Sequence, residues 1–233
     1  MKLAVISDIH SNLTALQAVL ARIRELDVTS IYCLGDIVGY GPHPNECIEL
    51  VRASCSGVVK GNHDSGTIGE TPLEYFNPYG RTAIEWTMEQ LTPANKEYLR
   101  GLPLVQTVSD CTITHASPVN PGAWTYVLTL SDAMSCFDAF ETTICFIGHT
   151  HLPMIIAEDF SVNRFSKGKR HLINVGSVGQ PRDHNPRSSF GFLDTEEGRY
   201  MLHRVAYDTR ETARAIRNAG LPSYLGKRLQ RGV

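Results

Sequence analysis

Paired cysteines are missing from this chain. Its six cysteines (Cys33, Cys47, Cys55, Cys111, Cys136 and Cys145) are scattered, and none stands in a C-x-x-C spacing. That removes the commonest zinc-knuckle and dithiol redox motifs. A long apolar run is also missing at the N-terminus, where MKLAVISD carries one lysine and is broken by Asp8. The run is too short for a signal peptide or a membrane span, so a cytoplasmic, reduced protein with no membrane partner is expected. Neither sign of charge dominates: 22 Lys and Arg stand against 24 Asp and Glu. A dedicated nucleic-acid binder usually shows a basic face, so nucleic acid is not an expected partner. Repeats, low-complexity stretches and linkers are absent. What is present is 233 residues, 42% of them hydrophobic, enough for one sizeable domain with a full core.

The order of elements is legible. KLAVIS is a short β-rich run, and Leu13, Leu16, Val19, Leu20, Ile23 and Leu26 then recur at helical spacing. Ser11 or Asn12 suits the cap of that helix. SIYCLG predicts a second strand, HPNECIELVRAS a helix with Pro44 in its first turn, and GVVKG a third strand. A β-α-β-α-β opening predicts parallel strands with helices packed outside. Residues 78–102 read as helical, broken at Pro93. LVQTV, CTITH and TICFIGH are further strands, with SDAMSCFDAF a helix between the last two. After His151, MIIAE, HLINVGS, SFGFLDT and RYMLHRVAY are strand-like with no long helix among them, which argues for antiparallel pairing. A helical tail from about 208 ends the chain, and Gly220 can stop it. The expected class is α/β, one domain over 1–233 built on two sheets.

Residues that bind metals gather at the strand ends. Asp8 and His10 follow the first strand in SDIHSN, Asp36 the second in LGDIVGYG, and Asn62 and His63 the third in KGNHD. His115 ends CTITH, and His149 and His151 end TICFIGHTH. On an extended chain the last two point to the same side. The carboxyl edge of an open α/β sheet is where ligands bind. Taken singly, Asp8 is as well explained as a cap, His115 as a satisfied strand-end histidine, and Asp36 or Asn62 as turn residues. Their coincidence at five strand ends is not explained that way. Carboxylates, an amide and imidazoles without a thiolate suit Mn²⁺, Fe or Zn²⁺ rather than a structural zinc. Seven such groups exceed the needs of one ion, so two ions are expected, as in sites for in-line displacement at phosphorus.

D-x-H, GD, GNHD, H and GHTH, in this order over residues 2–194, resemble the calcineurin-like metallophosphoesterases. GDIVGYGPHPNE and INVGSVGQPRDHNPRSSFG are similar to a bacterial and archaeal branch of small single-domain members, often labelled phosphodiesterases or relatives of diadenosine tetraphosphatases. The resemblance implies a four-layer α/β/β/α sandwich of two mixed sheets. It implies that Asp8, His10, Asp36 and His151 hold one ion, that Asp36, Asn62, His115 and His149 hold the other, and that Asp36 bridges them. The ions would be Mn²⁺, with Fe, Zn²⁺, Ni²⁺ or Mg²⁺ as alternatives. A hydroxide shared between them would attack phosphorus, and His63 would protonate the leaving oxygen.

The chain departs from the protein-phosphatase branch, which reads GDxxDRG where this chain has GDIVGYG. The carboxylate that would orient His63 and an arginine that would grip phosphate are replaced by Gly39 and Tyr40, so protein phosphatase activity is not expected. Asn12, Arg182, Arg187 and Trp124 are the candidate substrate contacts. Arginine grips phosphate in a bidentate fork. Trp124 and Tyr126 would either stack a nucleobase or fill a gap under their loop. The polar stretch from Asp64 to Pro78 would form one pocket wall. The expected activity is hydrolysis of a small phosphate ester or nucleotide, by a chain compatible with a homo-oligomer. The alternatives are a metal-free scaffold of the same fold, as in the retromer complex, and a dinucleoside polyphosphate hydrolase or nuclease.

Overall fold

The computed structural model describes every residue from Met1 to Val233. Strand β1 (Lys2–Ile6) is buried on both faces. Its alternation sends Ala4 and Ile6 one way and Leu3 and Val5 the other, into two separate apolar clusters. That double burial decides the architecture, because a strand with two apolar faces needs a layer on each side.

On the first side lie α1 (Leu13–Arg24), α2 (Pro44–Ser54) and α5 (Pro93–Arg100). Leu16, Val19 and Ile23 of α1, Ile48 and Val51 of α2, and Leu99 of α5 all join the cluster of Ala4 and Ile6. Asn12 caps α1 by accepting from the Ala15 N–H at 3.2 Å. The strands β2 (Ser30–Cys33) and β3 (Gly57–Val58) extend the sheet in parallel. Antiparallel β9 (Ser188–Asp194) and β10 (Arg199–Val205) complete it, in the order β10-β9-β1-β2-β3.

On the second side, Leu3 and Val5 meet Ile113, Phe146 and Ile173 of a second sheet. That sheet runs β4 (Val105–Val108), β5 (Cys111–Thr114), β6 (Ile144–Ile147), β8 (His171–Asn174) and β7 (Met154–Ala157). Its outer face is covered by α6 (Leu130–Cys136), through Ala133 and Cys136. Four layers result, α/β/β/α, with two mixed five-stranded sheets.

The structure corrects three expectations. The strands after His151 are not all antiparallel: β8 pairs in parallel with β6 and only β7 turns back on it. The third strand is shorter than GVVKG, because the chain enters a helix, α3 (Asn62–Thr67), almost at once. The C-terminal tail holds two helices, α7 (Thr209–Asn218) and α8 (Ser223–Leu229). Ile216, Leu225 and Leu229 of that pair pack on Tyr40 and on Ala83 of α4 (Pro78–Gln90). No helix is long and apolar enough to cross a membrane.

Candidate metal centre and active site

The strand ends converge into three overlapping groups of buried side chains: Asp8, His10 and His151; His10, Asp36 and His63; and Asp36, His115 and His149. Asp8 Oδ1 lies 3.2 Å from His151 Nε2 and 3.9 Å from His10 Nε2. Asp36 Oδ2 lies 3.6 Å from His10 Nε2 and 3.4 Å from His115 Nε2, so one oxygen faces both ends of the array. His115 Nε2 also meets His149 Nδ1 and Asn62 Oδ1, each at 3.2 Å.

Three imidazoles are aimed from behind. Nδ1 of His10, His115 and His151 lies against the carbonyls of Val38 (3.1 Å), Leu34 (2.8 Å) and Gln180 (2.5 Å). A carbonyl only accepts, so each Nδ1 donates and each Nε2 turns inward. His10 Nε2 and His151 Nε2 then face each other at 3.1 Å, beside an Asp8 Oδ1 that has no hydrogen-bond partner. Lone pairs and carboxylate oxygens packed in this way repel unless cations lie among them, and the donor set suits divalent ions. The residues therefore fit a two-metal site.

The backbone that delivers them is unusual. Asp8, His10, Asp36, His149 and His151 all adopt positive φ, between 50° and 67°. That left-handed region costs free energy for residues other than glycine, and it clusters at functional sites. It also corrects the alternation argument. His149 and His151 lie beyond the end of β6 on left-handed backbone, and they diverge: His151 joins Asp8 while His149 joins His115. Asn62 and His63 are likewise not on an extended chain but in the first turn of α3.

Several supporting residues carry no signal in a strand-end reading. Asp64 is buried and accepts from the N–H groups of Ile37, Val38 and Gly61, tying the Asp36 loop to α3. Burial and the nearby Asp36 charge push its carboxyl up to about 7, against the bonds from Gly61 and Val38. Asp64 therefore stands inside the centre's support, not in a pocket wall. The GSVGQ segment holds Asp8 in place, with Ser177 Oγ and the Gly179 N–H both donating to the Asp8 carbonyl. At Gly148 a Cβ would collide with Ser7 and Asp8, so only glycine lets the two sheets meet there.

Of the expected substrate contacts, Arg182 is placed near the centre. Its guanidinium is held by Gln180 Oε1 at 2.9 Å, and its charge disfavours protonation of His63 and His151. Arg187 is exposed and its Nε donates to Asn185 Oδ1 at 3.1 Å. Asn12 is buried, and its Nδ2 donates to Gly179 while its Oδ1 accepts from Ala15 and Thr212. Trp124 is half-buried over His115, ring centroids 6.0 Å apart, and its Nε1 donates to Thr71. Arg228 of α8 was not foreseen, because α8 was not; burial and then the charge of Arg182 hold its pKa down.

His115 gives the centre a measurable proton. Burial disfavours its charged form, but Asp36 and then Asp8 outweigh that and push it up to about 9. His149, pressed by burial and by His115, falls to about 3. Near pH 7.5 the metal-free centre thus carries one imidazolium that a metal must displace. Metal uptake should release about one proton per chain. Calorimetry in two buffers of different ionisation enthalpy measures that number, and a value of zero would contradict this account of His115.

The calcineurin-like phosphoesterase superfamily domain matches residues 1–198. An uncharacterised protein of Methanocaldococcus jannaschii is 40% identical over 240 residues, covering 97% of this chain and 96% of that one. The crystal structure of a metallophosphoesterase from Sphaerobacter thermophilus superposes with a TM-score of 0.91 at 42% identity, over 100% of this chain and 99% of that one. A hypothetical protein from Pyrococcus horikoshii shares the fold, with a TM-score of 0.81 at 24% identity over 100% and 98% of the two chains. The buried His and Asp groups described above lie within the matched residues. This chain therefore belongs to the calcineurin-like phosphoesterase superfamily and is a metallophosphoesterase, a hydrolase of phosphate esters.

Proposed function

We propose that the protein hydrolyses a small phosphate mono- or diester with two divalent ions, Mn²⁺ first among them, working as one unit over 1–233. The observation that carries this reading is Asp36 Oδ2, which faces His10 on one side and His115 on the other. Asp8, His10 and His151 would hold one ion, Asn62, His115 and His149 the other, and Asp36 both. Ions bound there would polarise a phosphoryl oxygen and make water nucleophilic near neutral pH. Arg182 would neutralise phosphate oxygens, and His63 would give a proton to the leaving oxygen. A scaffold need not keep its ligand positions, whereas here all seven are filled.

Chelation should abolish hydrolysis of mono- and bis-p-nitrophenyl phosphate, and Mn²⁺ should restore it. Metal bound only by the folded state stabilises that state by about 2.7 kcal/mol at a hundredfold excess over Kd. For a chain of this size that is a fall in Tm of roughly 5–11 °C on chelation. Full activity after confirmed metal removal would overturn the two-metal reading.

A further inference from the structure

Beside the metal centre lies an open cleft of about 590 Å³. That volume falls within the roughly 300–1,000 Å³ of pockets that hold small organic ligands. Asn62 and His149 border it, so it opens onto the second group of ligands. Its walls come from two segments that supply no ligand, Glu70–Phe76 after α3 and Gly122–Tyr126 after β5. The Trp124 Nε1 donates to Thr71 Oγ1 at 3.1 Å and ties the two walls together. Trp124 is itself held on left-handed backbone, φ 55°, so its ring is placed against local preference.

The chemistry of these walls is one-sided. Tyr126 lies face to face with the His149 ring, centroids 4.0 Å apart and planes 25° apart. Tyr75 is 79% exposed and Tyr126 47%, so two aromatic faces stand open to solvent beside a buried polar centre. No lysine or arginine lines the cleft. Its one carboxylate, Glu70, is turned to Lys60 Nζ at 2.7 Å. A second phosphate group would find no cation there. A flat uncharged ring would find aromatic faces, and stacking of that kind tolerates any base.

We propose that this cleft binds the organic substituent of the phosphate ester, and that the substituent carries an uncharged planar ring, as a nucleoside does. The assignment rests on the phosphoesterase reading above and narrows it from phosphate esters in general to ring-bearing ones. Trp124, Tyr126 and Tyr75 would set the preference, and the metal centre would not contribute to it.

Three ligands with a terminal phosphate test it: adenosine 5′-monophosphate, phenyl phosphate and ribose 5-phosphate. Each competes against hydrolysis of bis-p-nitrophenyl phosphate by the metal-loaded protein. Adenosine 5′-monophosphate should bind roughly 5- to 150-fold more tightly than ribose 5-phosphate, the range that stacking of one base supplies. Phenyl phosphate matching the nucleotide would mean that any ring suffices; phenyl phosphate matching the sugar phosphate would mean that the base is read. Trp124→Ala and Tyr75→Ala should shrink the preference, and Trp124→Phe should restore most of it. A second readout does not depend on turnover. Trp86→Phe leaves Trp124 as the one tryptophan, and the nucleotide but not the sugar phosphate should quench its fluorescence. Equal competition by nucleotide and sugar phosphate, with no quenching, would overturn the assignment while hydrolysis itself still stood. Absence of hydrolysis by the metal-loaded protein would overturn the phosphoesterase reading instead, and the quenching experiment would still decide what the cleft binds.

Discussion

Asparagine in place of Asp36 is expected to strip the protein of much of its metal and to lower turnover by more than ~10²-fold. The change keeps the size of the side chain but removes its charge. Asp36 Oδ2 is 3.6 Å from His10 Nε2 and 3.4 Å from His115 Nε2, while Oδ1 accepts the His63 N–H at 2.8 Å. Losing a group that merely braces a metal ligand costs roughly 10–100-fold. Losing one that serves two ions should cost more. His151→Ala touches only the group at Asp8 and His10, so it should weaken one ion and spare the other. Asp36→Asn should also lower the proton release on metal uptake, because His115 loses the carboxylate that keeps it charged. Elemental analysis and kcat/KM measure these outcomes. Two tightly held ions and normal turnover in Asp36→Asn would dismiss the bridge.

His63→Ala is expected to separate two kinds of substrate. General acid catalysis contributes roughly 10²–10⁴-fold, and it matters most for a poor leaving group. An alkyl ester should therefore lose ~10²-fold or more in kcat/KM, while a p-nitrophenyl ester, whose leaving group departs with little help, should lose far less. Both metals should stay. The structure supplies the orientation that the missing carboxylate would have given. The His63 ring packs 4.5 Å from Tyr40, 4.8 Å from His10 and 5.1 Å from Phe76, measured between centroids. A Cβ at Gly39 would collide with His63 Nδ1, so the glycine that replaces the expected carboxylate is also what makes room for the ring. Burial lowers the His63 pKa to about 4, against the pull of Asp36. A bound phosphate adds negative charge beside it and favours the imidazolium. Equal losses on the two esters, with metals retained and chemistry limiting, would make His63 a phosphate-positioning group instead.

The convergence of Asp8, Asp36, His115 and His149 was legible because a site residue at a strand end leaves two marks, an apolar run and a polar residue just after it. The same marks made a buried first strand and a domain of two sheets legible, whereas the four layers came from the family resemblance. The direction of each side chain was not legible. Strand alternation sends His149 and His151 together, but the left-handed backbone at φ 67° and 62° sends one to each group. Such backbone is imposed by tertiary contacts, such as the Asp8 carboxylate accepting the His149 N–H, and no local preference announces it. Asp64 stayed hidden for a related reason. Two of its three acceptor bonds go to a loop 26 and 27 positions earlier, and a polar residue in a turn-rich stretch looks solvated until that loop is in place. Asn12 shows the same limit from the other side, because its bonds to Gly179 and Thr212, 167 and 200 positions away, are not announced by its cap position.

Two of the three groups of buried side chains take members from both sheets. Asp8 and His10 follow β1, whereas His151, 141 positions from His10, follows β6. Asp36 follows β2, whereas His115 follows β5. The ions would thus act as rivets between the two sheets. Contacts of such long sequence separation cost loop-closure entropy before they are rewarded, so rivets of this kind are expected to be set late. A rivet set late does little for the rate at which the sheets come together, and its effect falls on the rate at which they part. Metal bound there would then be less a guide to folding than a lock on the finished molecule, and persistence on heating would become a question of how long the lock holds.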